Sequence, residues 1–244
     1  VPYIVSGFSD APQSQVMEWL EKKRFRIESI VSALRQGEGR ADDTQYRDVA
    51  AFLEGRHLDQ LLIVGGGSSA VDHLSAISQL VTDRTCIVHA SFRHIDRYGD
   101  LGAAVQFVAI AGNEMPGAGV LSREDLHWLV VSPPRPSLGG SLPSERTFEV
   151  RPSGRNSLAD GAPQTDLAPL ALGLGLSELA SLDDIPVLLC GFDGYEAPSF
   201  GEKALEREVQ QLLDAYLEER RLWSLTPSLY QVPTRSVYAL LMGE

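Results

Sequence analysis

The sequence predicts an α/β chain: a Rossmann-like, three-layer, mostly parallel sheet preceded by a small all-helical module. Three observations carry that expectation. Leu61, Leu62, Ile63 and Val64 form a short, continuously apolar run, as a strand covered on both faces requires. A glycine turn, Gly65-Gly66-Gly67-Ser68-Ser69, follows at once, and then Ala70, Val71, Leu74, Ile77 and Leu80 recur at helical spacing. Further short apolar runs alternate with helical stretches to the end of the chain, which implies parallel strands joined by crossovers.

Residues 1–56 read as helices only, one stripe from Val16, Met17 and Leu20 and a second from Ile27, Ile30, Val31 and Leu34. The second ends at the breaker Gly37-Glu38-Gly39. Tyr46, Val49, Ala50 and Leu53 mark a third helix, with Asp43 or Thr44 placed to cap it. Residues 57–244 form the Rossmann-like domain, with strands expected at 61–64, 86–90, 105–111, 128–132 and 185–190. Helices are expected from about Asp166 to Leu182 and over 202–221, where Leu205, Val209, Leu212, Leu213 and Tyr216 share a face. Residues 132–164 carry Pro133, Pro134, Pro136, Pro143, Pro152 and Pro163 among Gly and Ser, with one strand-like island at Thr147–Val150. A loop of that length and composition is expected to be a lid or a disordered segment.

Charge narrows the partners. The 244 residues carry a formal net charge of -12, a sign that repels nucleic acid and anionic membrane surfaces. No apolar run approaches the roughly 18 residues of a membrane span, and the N-terminus lacks the basic flank of a signal peptide. The chain starts at Val1 rather than Met, as expected of a processed product or a piece of a longer protein. Cys86 and Cys190 both sit in apolar strand-like runs, so reduced, buried thiols and a cytoplasmic setting are expected.

The glycine turn is where chemistry is expected. Glycines permit positive φ and close approach of a ligand to the backbone, and a helix start offers unpaired N–H groups to an anion. Gly65, Gly66, Gly67, Ser68 and Ser69 are therefore the candidate phosphate cradle, with Ser69 and Asp72 resembling a capping box. The alternative is a tight turn that Ser69 merely caps. Gly65, Gly67 and Ala70 meet the dinucleotide fingerprint only in part. The acidic ribose partner expected after the second strand is replaced by Val88-His89-Ala90-Ser91, so no nicotinamide or flavin cofactor is expected.

Polar residues cluster after the strand ends, where an open α/β sheet places its ligand crevice. His89, Ser91, Arg93 and His94 follow the second strand, Asn113 and Glu114 the third, and Asp193 and Tyr195 the strand ending at Cys190. For binding, Ser91, Arg93 and Asn113 join the glycine turn. Were the domain a transferase, His89 or Glu114 would be the general base and Asp193 a metal ligand, with Mg²⁺ in a diphosphokinase-like reaction. Arg135, Arg146, Arg151 and Arg155 in the proline-rich loop make a candidate phosphate clamp. His57, His73 and His127 have no partners at metal-ligand spacing and are read as surface or packing residues, so no metal site is expected.

Two runs carry a family resemblance. Ile185 to Tyr195, which ends in Gly191-Phe192-Asp193-Gly194-Tyr195, and the tail from Leu225 to Tyr238 resemble the C-terminal domain of certain bacterial aldolases. Those have a hydroxymethylglutaryl-CoA-lyase-like barrel akin to 4-hydroxy-2-oxovalerate aldolase and are connected with surface-sugar pathways. The segment Pro2 to Gly7 is similar to the stretch that follows the barrel, and the barrel itself has no counterpart here. More distantly, the glycine turn, His89-Ala90-Ser91 and Gly191 to Tyr195 are similar to the Rossmann-like group of bacterial sialyltransferases and hydroxymethylpterin diphosphokinase-like proteins. In that group a Gly-x-Gly-Pro-Ser turn holds a nucleotide, and Ser68 stands here in place of the Pro. The resemblance implies a nucleotide or nucleotide-sugar binding domain. It would be partnered by an aldolase barrel or a second copy of itself. A glycosyltransferase or diphosphokinase-like transferase, or a purely structural or oligomerising domain, are its rivals.

Overall fold

The computed structural model describes residues 44–98, 101–110, 116–132, 141–150, 169–182, 184–196, 200–218 and 220–243. The expected helices before residue 44, the crevice residues Asn113 and Glu114, and the clamp residues Arg135, Arg151 and Arg155 lie outside them.

Among the described residues one sheet of eight strands, all parallel, organises the fold. In sequence order these are β1 (Arg47–Asp48), β2 (Gln60–Val64), β3 (Thr85–His89), β4 (Val105–Ile110), β5 (His127–Val131), β6 (Thr147–Val150), β7 (Val187–Cys190) and β8 (Leu222–Ser224). Their spatial order is β1-β6-β5-β4-β3-β2-β7-β8. The helices are α1 (Val49–Leu53), α2 (Ser69–Asp72), α3 (Leu74–Leu80), α4 (Ile95–Tyr98), α5 (Ala118–Leu121), α6 (Pro169–Ser177), α7 (Phe200–Leu217) and α8 (Val237–Met242).

Strand side chains alternate between two helical layers, as a period of two dictates. Leu61, Ile63, Val187 and Leu189 pack with α1, α6 and α7 on one face. Leu62, Val64, Ile87 and Cys190 pack with Ala76, Ile77 and Val237 on the other. That gives the expected three-layer, Rossmann-like α/β fold. Helix α6 is buried around its whole circumference, which explains why its sequence shows no polar face. Gly173 lets it lie close to the sheet, since a Cβ there would stand 3.0 Å from Ile63.

Several elements differ from what the sequence predicts. Tyr46 lies outside the third expected helix, which is α1 and is capped by the Asp48 side chain through Ala50 N–H at 3.0 Å, not by Asp43 or Thr44. Arg47 and Asp48 pair with Phe148 and Glu149, and Val49 and Leu53 are core residues, so the sheet takes up the chain ahead of residue 57. The island at Thr147–Val150 is a strand as expected, β6, hydrogen-bonded between β1 and β5, with buried Leu142 ahead of it. Leu142, Thr147, Phe148 and Val150 are thus buried against the sheet rather than in a lid. The helix after the glycine turn breaks at His73 into α2 and α3.

Strand order fixes where the sheet reverses direction. From β2 the chain adds strands outward through β3, β4, β5 and β6, then returns to the other side of β2 with β7. Connections leave β2 and β7 in opposite directions, which makes their carboxyl ends the switch point of the sheet.

Candidate functional site

The glycine turn lies at that switch point, and its partner is a second glycine turn after β7. Gly65 N–H donates to Cys190 O and Gly67 N–H to Gly191 O, both at 2.8 Å. A Cβ on Gly65 would stand 2.4 Å from Gly191 O, so glycine is required by the contact between the two backbones. Positive φ was expected in the turn at 65–67. It occurs instead at Gly191 (72°) and Gly194 (80°). Thr226 Oγ1, fully buried, accepts the Gly191 N–H at 3.1 Å and fixes the second turn from β8.

Asp193 fills the space above the first turn. Its Oδ2 accepts the Ser69 N–H at 3.0 Å, and Oδ1 accepts the Ser69 hydroxyl. A Cβ on Gly67 would lie 2.4 to 2.5 Å from the atoms of this carboxylate. The expected capping box is therefore replaced: Ser68 occupies the cap position without a side-chain bond, and Asp193, from across the sheet, satisfies the helix start. The carboxylate stands where an anion at the start of α2 was expected.

The third wall comes from the end of β3. Ser91 Oγ accepts Arg93 N–H at 3.3 Å, starting a 3-10 turn over Phe92–His94. That turn directs Arg93 Nη1 to Gly66 O at 2.9 Å and His94 Nε2 to Gly67 O at 3.0 Å. Ser91 Oγ would be 2.8 Å from a Cβ on Gly66. Among the described residues the Gly66 and Ser68 N–H groups take no protein acceptor. Residues 65–69, 91–93 and 193 thus meet at one mouth.

Other expected site residues lie elsewhere. His89 is not in the crevice. It is the last residue of β3, on the same face as Ile87, and is fully buried. Its Nε2 donates to Gln106 Oε1 at 3.0 Å, its Nδ1 has no partner, and burial pushes its pKa down to about 4. A ring so placed has no route to a substrate proton. Arg146 is not a phosphate clamp either, because its guanidinium donates to the carbonyls of Arg123, Leu126 and Leu121. His127 is a packing residue, its ring set among Phe52, Phe107 and Phe148.

Compared with protein-family models, with curated proteins and with solved structures, the chain matches none of them. The site therefore stands on its own residues.

Two participants escaped the sequence reading. Tyr98, buried in α4, donates its hydroxyl to Ala70 O at 2.7 Å and lies 3.6 Å from Cys190 Sγ, tying α4 to the start of α2 and to β7. Burial raises the Tyr98 hydroxyl far above its ordinary range and pushes the Cys190 thiol up to about 12, so both stay protonated at neutral pH. Thr226 is the other. Nothing in its own spacing announced a partner 35 positions away. Cys86 and Cys190 are free and buried, as expected. Among the described residues no cluster of three His, Cys, Asp or Glu could hold a metal ion, and no helix is long and apolar enough to cross a membrane.

Proposed function

We propose that the domain binds a nucleotide or nucleotide sugar, with a phosphate at the mouth between β2 and β7. The observation that carries the reading is the convergence on Gly66: Arg93 bonds its carbonyl from β3, and Ser91 lies against its α-carbon. With Asp193 holding Ser69, the donors for a phosphate are the Gly66 and Ser68 amides, the Ser68 and Ser91 hydroxyls and the remaining N–H groups of Arg93. In a chain of net charge -12 such local donors are what allows an anion to bind. The resemblance of residues 185–195 and 225–238 supports a role beside an aldolase in sugar metabolism. Burial of His89 favours a domain that presents or senses its ligand over one that turns it over.

The Asp193–Ser69 bond supports a second reading, in which the two glycine turns form a structural clasp and the domain serves assembly. A thermal-shift panel of nucleoside diphosphates and nucleotide sugars separates the two. Stabilisation by a nucleotide that is lost in Arg93→Ala supports binding, and a flat panel with wild type supports the clasp. Nucleotide release from a nucleotide sugar at steady turnover would replace both with a transferase.

A further inference from the structure

A concavity lies beside the turn after β7, with Tyr195 in its lining. It has a volume of about 410 Å³, within the roughly 300–1,000 Å³ typical of small-molecule sites. Its walls are Tyr195 after β7, Lys203, Glu206 and Arg207 on α7, and Leu229 and Tyr230 after β8.

The walls are tied together, so the shape is built and not incidental. Glu206 Oε1 accepts the Tyr195 N–H at 2.8 Å. The Gln210 side chain receives Gln231 N–H at 2.8 Å, and Leu229 N–H donates to Asp193 O at 2.9 Å. Gly194 is held at φ 80° against Leu229, whose Cβ would lie 2.9 Å from a Cβ there. One continuous backbone, Asp193 to Tyr195, therefore runs from the phosphate mouth into this cleft.

Its chemistry is two-sided. Tyr195, 38% exposed, and Leu229, 61% exposed, offer ring and aliphatic surface to solvent. The Tyr230 hydroxyl is pushed up to about 12 by burial, with Glu206 and Tyr195 adding to it, so it remains a donor at neutral pH. Lys203 and Arg207 stand one helical turn apart on α7, on one face. Neither has a carboxylate partner among the described residues.

We infer that this cleft binds a ring bearing an anionic group, a phosphorylated sugar or nucleoside, with the ring on Tyr195, Leu229 and Tyr230 and the anion on Lys203 and Arg207. The inference rests on reading the turn at 191–195 as one wall of a ligand site. Aromatic faces suit either kind of ring, and the paired cations select for the charge.

Titration calorimetry on the whole chain tests it, with glucose 1-phosphate and uridine 5′-monophosphate as ring phosphates and with inorganic phosphate, glucose and uridine as their halves. At least one ring phosphate binds more tightly than its halves, and the tighter of the two identifies the ring. The double variant Lys203→Ala, Arg207→Ala weakens it by about ten-fold or more, and Tyr195→Ala weakens it several-fold. Arg84→Ala, which removes a cation paired with Asp59, leaves it unchanged. Absence of binding by either ring phosphate at millimolar concentration, or wild-type affinity in the double variant, overturns the inference. Arg93→Ala separates the two sites. Loss of binding there with none in the double variant leaves the glycine-turn proposal standing alone, and the opposite pattern leaves only the cleft.

Discussion

Asp193 and Ser69 lie 124 positions apart, yet the carboxylate of one accepts both the backbone N–H and the hydroxyl of the other. The bond fastens the turn after β7 to the start of the helix after β2, so it spans the switch point of the sheet. It also places negative charge against the glycine turn.

Asp193→Ala leaves the Ser69 N–H without its acceptor. Loss of a helix cap costs about 0.5–2 kcal/mol, and a drop of that size in denaturant-unfolding free energy is expected. Anion affinity is expected to move the other way, because the variant removes a carboxylate from beside the Gly66 and Ser68 amides. Tighter binding of inorganic phosphate to Asp193→Ala than to wild type, by calorimetry, is the outcome the proposed site requires. Equal affinity would show that the anion binds out of reach of Asp193.

Gly65 and Gly67 resist substitution for different reasons. A Cβ on Gly65 meets the Gly191 carbonyl, which is backbone and cannot swing away. A Cβ on Gly67 meets the Asp193 carboxylate, which can rotate away once it gives up Ser69. Gly67→Ala and Asp193→Ala should therefore be strongly non-additive, with the double variant about 1 kcal/mol more stable than the sum of the two predicts. Gly65→Ala should cost about 2 kcal/mol or more by overpacking, with no relief from Asp193→Ala. Additive behaviour at Gly67 would place the carboxylate elsewhere. Gly67→Val should lose ligand binding through the same crowding, not through any need for positive φ.

Most of the sheet was legible because buried parallel strands are mostly apolar runs, and β2, β3, β5 and β7 are of that kind, with β4 broken only by Gln106. β1 and β8 were not. They are two and three residues long, at the sheet edges; β1 is charged and exposed, and β8 offers only Leu222 and Trp223, too short a run to read as a strand. The glycine turn was legible from its composition, but the Asp193 contact was not, because nothing local announces a partner across the sheet. His89 was read as following a strand although it falls inside the one expected at 86–90. Polar residues just beyond a strand end line a crevice, whereas His89 still belongs to the strand and shares the side of Ile87.

Arg146 should matter for folding and not for ligand. Its guanidinium holds three carbonyls in the loop between α5 and β5, and its side chain is 19% exposed. Arg146→Met leaves those acceptors without their donor at a cost of about 1–3 kcal/mol. Ligand affinity should stay at the wild-type value when measured well below the midpoint of unfolding. A several-fold loss of affinity would restore Arg146 to the clamp.

Acid should destabilise the fold through His89. Gln106 Oε1 can only accept, so the proton of neutral His89 sits on Nε2 and Nδ1 is bare. Protonating Nδ1 would bury a charge and an N–H with no acceptor, and burial accordingly lowers the pKa from 6.5 to about 4, with Arg123 lowering it further and Gln106 and Asp125 opposing. The unfolded chain therefore binds more protons than the folded one between those two values. Stability is full above pH 6.5 and falls as the pH drops toward 4, at up to about 1.4 kcal/mol per pH unit for this one group. His127, also lowered by burial and by Arg56, Arg146 and Arg47, adds a slope of the same sign. His89→Gln keeps a donor for Gln106 and removes the titration. Urea unfolding at half-unit steps from pH 7 to pH 5 should give a shallower decline for His89→Gln than for wild type, the range being chosen to stay above most carboxylate titrations. Parallel declines would mean that His89 titrates alike in the folded and unfolded chain, and its burial would have to be abandoned.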